Sequence, residues 1–290
     1  MPRYLDPKND LPFKRIFGEH PDLLKSFLNA LMPLEKHQQI ESLEYLSAEQ
    51  VPENPAKKNS IVDVRCKDNF GRQFIVEMQM LWSNIFSDRM VFNASKAYVR
   101  QLDRHQYYDL LQPVYALAIL NDVFDRKTEE FYHHYRIVNY RNTDEIIKGL
   151  EFVMVELPKF RAEKWADRRM AALWLRFLNE VEEYKSTVPD ELKEDACIRR
   201  ALDICEEGAF SDAELAAYEK YWDIIRTEGG MIAVSRAEGR AEGRAEGRAE
   251  SLTDIVRNCN RNGFSMEQIR AITGLGGEKI AEILRSNNDK

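Results

Sequence analysis

The sequence predicts an α/β protein in which a mixed sheet flanked by helices is followed by an all-α C-terminal region. Three observations carry this prediction. Two runs of alternating apolar and polar residues, at 60–68 and 73–80, surround a short turn. A continuous apolar run at 114–120 follows an amphipathic helical segment, as expected of a buried strand reached by a crossover helix. From residue 162 onward, the apolar residues have helical spacing.

The N-terminal segment 10–18 is predicted to be a short helix. Asp10 is expected to be the N-cap, Pro12 lies in the first turn, and Gly18 is expected to end the helix. Asp10 and Lys14 are four residues apart and can pair on one helix face. A surface ion pair is the plain interpretation, and a contribution of both residues to a functional site is the alternative. Three segments then lead toward the two alternating runs: a second helix at 21–32, a strand at 40–46 and a polar loop at 50–59.

The two alternating runs are predicted to pair as a β-hairpin. A three-residue loop, with Gly71 in a left-handed conformation, would place Asp63 opposite Glu77 and Gln79 further along the same face. A two-residue loop would put the carboxylates on opposite faces. Opposed carboxylates repel unless a proton or cation lies between them, and oxygen ligands are what Mg²⁺ prefers. The pattern therefore predicts a Mg²⁺ site, with a hairpin that has a solvated polar face as the alternative.

The helix that follows is expected over 83–105 and has two different faces. One face is largely apolar and comprises Met90, Val91, Ala94, Tyr98, Leu102 and His105. The opposite face is basic and comprises Arg89, Lys96, Arg100 and Arg104. A solvated face is the usual explanation of such a stripe, and contact with phosphates is the alternative.

Further strands are expected at 132–140 and 150–157, after the buried strand at 114–120. His133 and His134 are adjacent in the first of these, so their side chains should point to opposite faces and cannot both bind one metal ion. Helices are expected from 162 onward, including 193–207 and 212–226.

A four-residue Arg-Ala-Glu-Gly repeat fills 236–250. Because each glycine costs a helix about 1 kcal/mol relative to alanine, a marginal helix or a flexible spacer is expected there. The tail contains a capping box at Ser265 and Gln268, and glycines at 263 and 274 that break short helices. This tail has few net charges, which favours interaction over DNA binding. The chain is thus divided into a core at 1–160, a helical extension at 161–235, a spacer at 236–250 and a small helical module at 251–290.

Composition narrows the class of protein. The chain has 290 residues, with 44% hydrophobic and 31% charged residues, which is typical of a globular protein. Its net charge of −7 does not by itself indicate a nucleic-acid binder. The first ten residues have no apolar signal core, and four scattered cysteines suggest reduced thiols, so a cytoplasmic location is expected.

The pattern Asp63…Glu77-x-Gln79 resembles the motif of the PD-(D/E)XK nuclease superfamily, with Gln79 where that motif has lysine. Glu-x-Gln is the form of the recombination-promoting nuclease and putative transposase family. The N-terminal segment, the long helix, the charged repeat and the tail resemble that family too. The resemblance implies a restriction-endonuclease-like sheet and Mg²⁺ held by Asp63, Glu77 and the backbone carbonyl of Met78.

We therefore expect a Mg²⁺-dependent DNA endonuclease, linked by this resemblance to recombination or transposition and acting as a homodimer on DNA. Two groups of residues are the candidates. The catalytic candidates are Asp63, Glu77, Gln79, Asp10 and Lys14, and the candidates for nucleic-acid contact are Arg89, Lys96 and Arg100. Two alternatives remain. The chain can be a catalytically weak or inactive DNA-binding or interaction protein on the same fold, which the loss of the motif lysine at Gln79 favours, or a ribonuclease.

Overall fold

The computed structural model describes residues 3–50, 60–165, 168–182 and 187–285. The strands are β1 (Leu43–Tyr45), β2 (Glu49–Gln50), β3 (Ser60–Ile61), β4 (Val64–Asp68), β5 (Gln73–Gln79), β6 (Val114–Leu120), β7 (Tyr132–Asn139) and β8 (Asn142–Glu156). The α-helices are α1 (Asp10–Glu19), α2 (Pro21–Leu31), α3 (Asn84–Val99), α4 (Arg169–Glu180), α5 (Asp190–Glu194), α6 (Ala196–Ile204), α7 (Asp212–Arg261), α8 (Met266–Thr273) and α9 (Gly277–Arg285).

Six of these strands form one mixed sheet in the order β1-β4-β5-β6-β8-β7. β5, β6 and β8 are parallel, and the antiparallel pairs lie at the two sides of the sheet. The helix α3 connects the parallel strands β5 and β6, which confirms the predicted crossover. All of β6 is buried, as its continuous apolar sequence predicts for a central parallel strand. The predicted fold class, a mixed sheet with flanking helices and a helical C-terminal region, is confirmed.

Each face of the sheet has its own core. On one face, α1, α2, α4 and α6 pack against the sheet around Phe17, Phe27 and Trp174, whose rings lie 4.4–5.5 Å apart between centroids. On the other face, α3 packs over Ile75 and the alanines of β6. The two faces alternate along β5, because Phe74 and Val76 belong to the first core and Ile75 to the second. Glu77, two residues after Ile75, therefore projects to the α3 face.

Several predicted boundaries are wrong. The helix α1 begins at Asp10, whose predecessor Asn9 is the N-cap, and it continues through Gly18 to Glu19. The helix α3 ends at Val99 and not at 105, and Val91 is half exposed although its apolar side chain suggested the buried face. The predicted strands at 132–140 and 150–157 are two strands of one long hairpin, in which β8 begins at Asn142. Most of the predicted polar loop, 51–59, lies outside the described residues.

The chain divides into two compact units, 1–225 and 226–290. In the first, Tyr218 of α7 packs with Leu5 and Phe210. In the second, a small core of Val256, Ile269 and Ile280 joins the end of α7 to α8 and α9. The whole repeat at 236–250 is helical and exposed, and the capping box of Ser265 with Gln268 is confirmed. Among the described residues, no helix is both long and apolar enough to cross a membrane.

Candidate functional site

The β4–β5 hairpin has the register that the turn predicts. Gly71 has a φ of +83°, and the amide of Asp68 donates to the carbonyl of Arg72 at 3.0 Å, which closes the three-residue loop. Val64 pairs with Val76 in this register. Asp63, which precedes Val64, therefore stands opposite Glu77, which follows Val76. The predicted register is confirmed, and Asp63 lies at a bend where the chain enters the strand.

Asp63 is held against the backbone of the neighbouring strand. Its Oδ2 accepts a hydrogen bond of 2.7 Å from the amide of Met78. The pKa of Asp63 is raised to about 7. Burial of the carboxyl group is the largest cause, the hydrogen bond from Met78 opposes it, and the negative charge of Glu77 adds to it. The structure therefore brings the two carboxylates within electrostatic reach of each other.

The helix α1 places a cation and an anion near Asp63. Phe13, Ile16 and Phe17 are fully buried and fix the helix on the sheet. On another face of α1, the Nζ of Lys14 lies 2.8 Å from the Oδ1 of Asp10, which confirms the predicted ion pair. The Lys14 ammonium lowers the pKa of Asp63, and the Asp10 carboxylate raises it. Both residues thus act electrostatically on the candidate site, although each side chain is half exposed.

Glu77 is buried and receives hydrogen bonds from two residues of α3. The Nδ2 of Asn93 donates to Oε1 at 3.1 Å, and the guanidinium of Arg89 donates to Oε2 at 3.3 Å. These two donors are four residues apart and therefore lie one above the other on the helix. Asn93 was not predicted from the sequence. Its signal is a polar residue among the buried side chains of α3, namely Phe86, Met90, Ala94 and Ala97.

Gln79 occupies the position of the motif lysine, and both ends of its amide are engaged. Its Nε2 donates to the carbonyl of Leu81 at 2.7 Å, and its Oε1 accepts from the Arg89 guanidinium at 2.8 Å. Arg89 also lies over the ring of Phe86, with 4.9 Å between the guanidinium carbon and the ring centroid. Gln79 is neutral, but its hydrogen bond to Arg89 places the positive charge of the guanidinium beside Glu77.

The remaining predicted residues lie further along α3. Lys96 and Arg100 follow Arg89 by seven and eleven residues, so all three share one side of the helix. Lys96 lies over the ring of Phe92, at 5.7 Å from its centroid, and Arg100 is the C-cap residue. His133 and His134 bind different carboxylates, Glu156 at 3.0 Å and Glu151 at 2.8 Å, as expected of neighbours on opposite faces of a strand.

The donors at Asp63 and Glu77 fit a hard divalent cation. In the described parts of the chain, no group of three or more His, Cys, Asp and Glu side chains is suited to a metal ion. Two carboxylates, completed by a backbone carbonyl and water, are the kind of ligand set that Mg²⁺ takes. A cation between them would also offset the repulsion that raises the pKa of Asp63.

Comparison with known proteins agrees with this geometry. The family model of the PD-(D/E)XK nuclease family transposases matches residues 7–227, which include the sheet, α3 and the carboxylate pair. Searches of curated proteins and of solved structures gave no match. The match covers about three quarters of the chain, and the chain therefore belongs to the PD-(D/E)XK nuclease family transposases.

Proposed function

We propose that this chain is a metal-dependent endonuclease that hydrolyses phosphodiester bonds in DNA. The observation that carries the proposal is the cluster at the end of the hairpin, where Asp63 stands in register with Glu77 and Arg89 bridges Glu77 and Gln79. Family membership supports nuclease chemistry of this general kind. The choice of DNA and of Mg²⁺, and the link to recombination or transposition, are parts of the proposal.

In this proposal Asp63, Glu77 and the carbonyl of Met78 hold the divalent cation. When bound, such a cation lowers the pKa of a water molecule and stabilises charge at the scissile phosphate. The chain supplies the orientation. The Met78 amide fixes one carboxylate, and Asn93 fixes the other, so both are positioned before substrate binds.

In this proposal Arg89 supplies the positive charge that a lysine would supply at position 79. Its guanidinium lies 2.8 Å from the Gln79 amide oxygen, at the position along β5 where the motif has its lysine. A planar guanidinium suits a phosphate oxygen, because it can donate two hydrogen bonds in parallel. Lys14, paired with Asp10, provides a second cation on the side of Asp63. Lys96 and Arg100 would contact phosphates further along the substrate.

The proposal is tested by incubating supercoiled plasmid, single-stranded DNA and RNA with the full chain in Mg²⁺ or in EDTA. We expect Mg²⁺-dependent cutting of DNA, and loss of cutting in Asp63→Asn. Asp109→Asn is the matched control, since this carboxylate is exposed and lies in the segment between α3 and β6. Faster cutting of RNA than of DNA would contradict the proposed substrate.

A second candidate is a DNA-binding protein that does not cut, and the loss of the motif lysine at Gln79 is the observation that favours it. DNA binding without cleavage, by folded wild-type protein across Mg²⁺, Mn²⁺ and Co²⁺, would establish this candidate and refute the first.

We further propose that two copies act together, because a double-strand cut requires two sites. Sedimentation equilibrium of the chain with and without duplex DNA tests this. A monomer under both conditions that still makes double-strand cuts with single-hit kinetics would contradict it.

A further inference from the structure

A second group of cations lies on the α3 face of the sheet, beyond the carboxylate pair. Arg65 pairs in register with Ile75, whose side chain is buried under α3, so Arg65 projects to the same face. It follows Asp63 by two residues, which corresponds to about 7 Å along a strand. Its guanidinium reaches further away from Asp63, because one terminal nitrogen donates to the Oε1 of Gln73 at 2.8 Å. This cation therefore lies beside the candidate site and not within it.

The guanidinium of Arg65 is incompletely satisfied. Its Nε is buried and has no hydrogen-bond acceptor in the described parts of the protein. Burial lowers the pKa of Arg65, and the neighbouring charge of Arg100 lowers it further. A buried donor without an acceptor is unfavourable, and more so when the group is charged. An anion on this face would supply the missing acceptor.

Hydrogen bonds connect the end of α3, which carries Arg100, to the part of the sheet that Arg65 contacts. The side chain of Gln101 forms two hydrogen bonds with the backbone of Gln112, of 2.8 and 2.9 Å, and so ties the end of the helix to the segment that enters β6. The charge of Arg100 also lowers the pKa of Lys96, after the effect of desolvation. The amide of Gln73, whose side chain Arg65 contacts, donates to the carbonyl of Pro113 at 3.0 Å, so Arg65 and Arg100 lie at the same end of the sheet. Neither forms an ion pair with a carboxylate among the described residues. Two cations at one end of the sheet favour an anion there.

We propose that Arg65 and Arg100, with Lys96 at the rim, bind a phosphate of the substrate strand a few nucleotides from the bond cleaved at Asp63 and Glu77. The proposal rests on the proposed nuclease function and extends it.

Arg89 and Arg100 are eleven residues apart on α3, or about 16 Å along its axis, so the substrate backbone would follow this side of the helix. Substrates that end before the second phosphate should consequently bind weakly and be cut slowly.

The first test measures binding of a fluorescent oligonucleotide to the full chain in EDTA, over a range of salt concentrations. Each phosphate contact contributes about 0.9 to the slope of log K against log salt for duplex DNA, and about 0.7 for a single strand. Arg65→Gln and Arg100→Gln should each lower the slope by about this amount and weaken binding about 5- to 10-fold at moderate salt. Arg65→Lys, which keeps the charge, should retain most of the slope.

Lys67→Gln is the matched control for this test. Lys67 lies on the same strand and carries the same charge, but its Nζ pairs with Glu44 at 2.9 Å. Its substitution should leave the slope nearly unchanged. If Arg65→Gln and Arg100→Gln behave like Lys67→Gln, the proposal is overturned.

The second test does not depend on nuclease activity. Phosphate should raise the melting temperature of the wild type more than chloride does at equal ionic strength, and this difference should shrink in Arg65→Gln and Arg100→Gln. Arg100→Gln alone should not lower the melting temperature in chloride, because it removes a repulsion. A phosphate effect that is the same in all variants would overturn the anion site.

A phosphate effect that disappears in the variants, together with unchanged DNA slopes, would identify the anion as free phosphate and refute the assignment to substrate. A wild type that cuts no nucleic acid yet passes both tests would refute the nuclease function and retain the phosphate site.

Discussion

The positive charge beside Glu77 gives the sharpest mutational prediction. Arg89 donates to Gln79 at 2.8 Å and to Glu77 at 3.3 Å. Removing one donor that stabilises developing charge in an active site typically lowers kcat by about 100-fold or more, equivalent to about 2.7 kcal/mol. We expect Arg89→Gln to lower kcat/KM for DNA cleavage by about 100-fold. Since 47% of the Arg89 side chain is exposed, the free energy of unfolding should change by less than about 1 kcal/mol.

A paired substitution separates this role from simple packing. Gln79→Lys alone would put an ammonium beside the Arg89 guanidinium, so repulsion should lower activity. In Gln79→Lys/Arg89→Gln the charge is restored on β5, where the PD-(D/E)XK superfamily motif has its lysine, and activity should recover at least about tenfold relative to Arg89→Gln. The two substitutions should be non-additive, because both act on one cation.

The assay is single-turnover cleavage of a labelled duplex in Mg²⁺, with circular dichroism to confirm that each variant is folded. Lys25→Gln is a suitable control, since its Nζ donates to the carbonyl of Glu41 at the surface. Full activity of Arg89→Gln would refute the assignment. So would a double variant no more active than the product of the two single effects.

Three further predictions concern the rest of the chain. Asp6→Ala should lower the free energy of unfolding in urea by about 3 kcal/mol, because it removes the carboxylate that lies 2.9 Å from the buried ammonium of Lys8. Asp6→Ala/Lys8→Met should recover most of this loss, and equal losses in the single and double variants would contradict the prediction. Burial raises the pKa of Cys66 to about 12, so at pH 8 only about one Cys66 thiol in 10⁴ is ionised. Cys66 and the fully buried Cys205 should therefore react with a disulfide reagent only when the protein unfolds. Fast reaction of all four thiols in the native protein would be inconsistent with this burial. Deleting one exposed repeat unit, 241–244, should change the free energy of unfolding by less than about 0.5 kcal/mol and leave the cleavage rate within twofold of the wild-type rate. A large loss of stability or of cleavage would show that the repeat does more than connect its neighbours.

The hairpin register was predictable because local chemistry determines it. Gly71 at the left-handed position fixes the length of the loop, and the alternation of residues then fixes which side chains share a face. Asp63 and Glu77 could therefore be placed opposite each other from the amino-acid sequence alone. The buried strand β6 was predictable for a similar reason, since only a central parallel strand is apolar on both faces.

The contacts between elements could not be predicted in this way. The bridge from Arg89 to Gln79 depends on how α3 is seated on the sheet, and no spacing in the sequence encodes that seating. Val91 was misplaced and Asn93 was overlooked, because hydrophobicity alone assigns the apolar residue to the core. The seating of α3 instead exposes Val91 and buries Asn93 against Glu77. The end of α3 at Val99 was missed because the segment 100–105 has no proline or glycine to mark it.

Helix propensity left two outcomes open at the repeat, a marginal helix and a flexible spacer. The glycines of 236–250 lower helix stability, yet α7 continues through them for its full 50 residues. The alanines, glutamates and arginines between them favour helix and outweigh the glycines. Of the two expected outcomes, a marginal helix or a flexible spacer, the structure shows a helix, and the deletion experiment tests the role of the repeat.

The measurement that tests the central claim most directly is the Mg²⁺-dependent rate of strand scission by wild type, Asp63→Asn and Glu77→Gln. If these two carboxylates hold the metal ion that hydrolysis requires, each variant should be folded and at least about 100-fold slower than wild type in saturating Mg²⁺. Scission that requires Mg²⁺ and proceeds at the wild-type rate in either variant would contradict the claim.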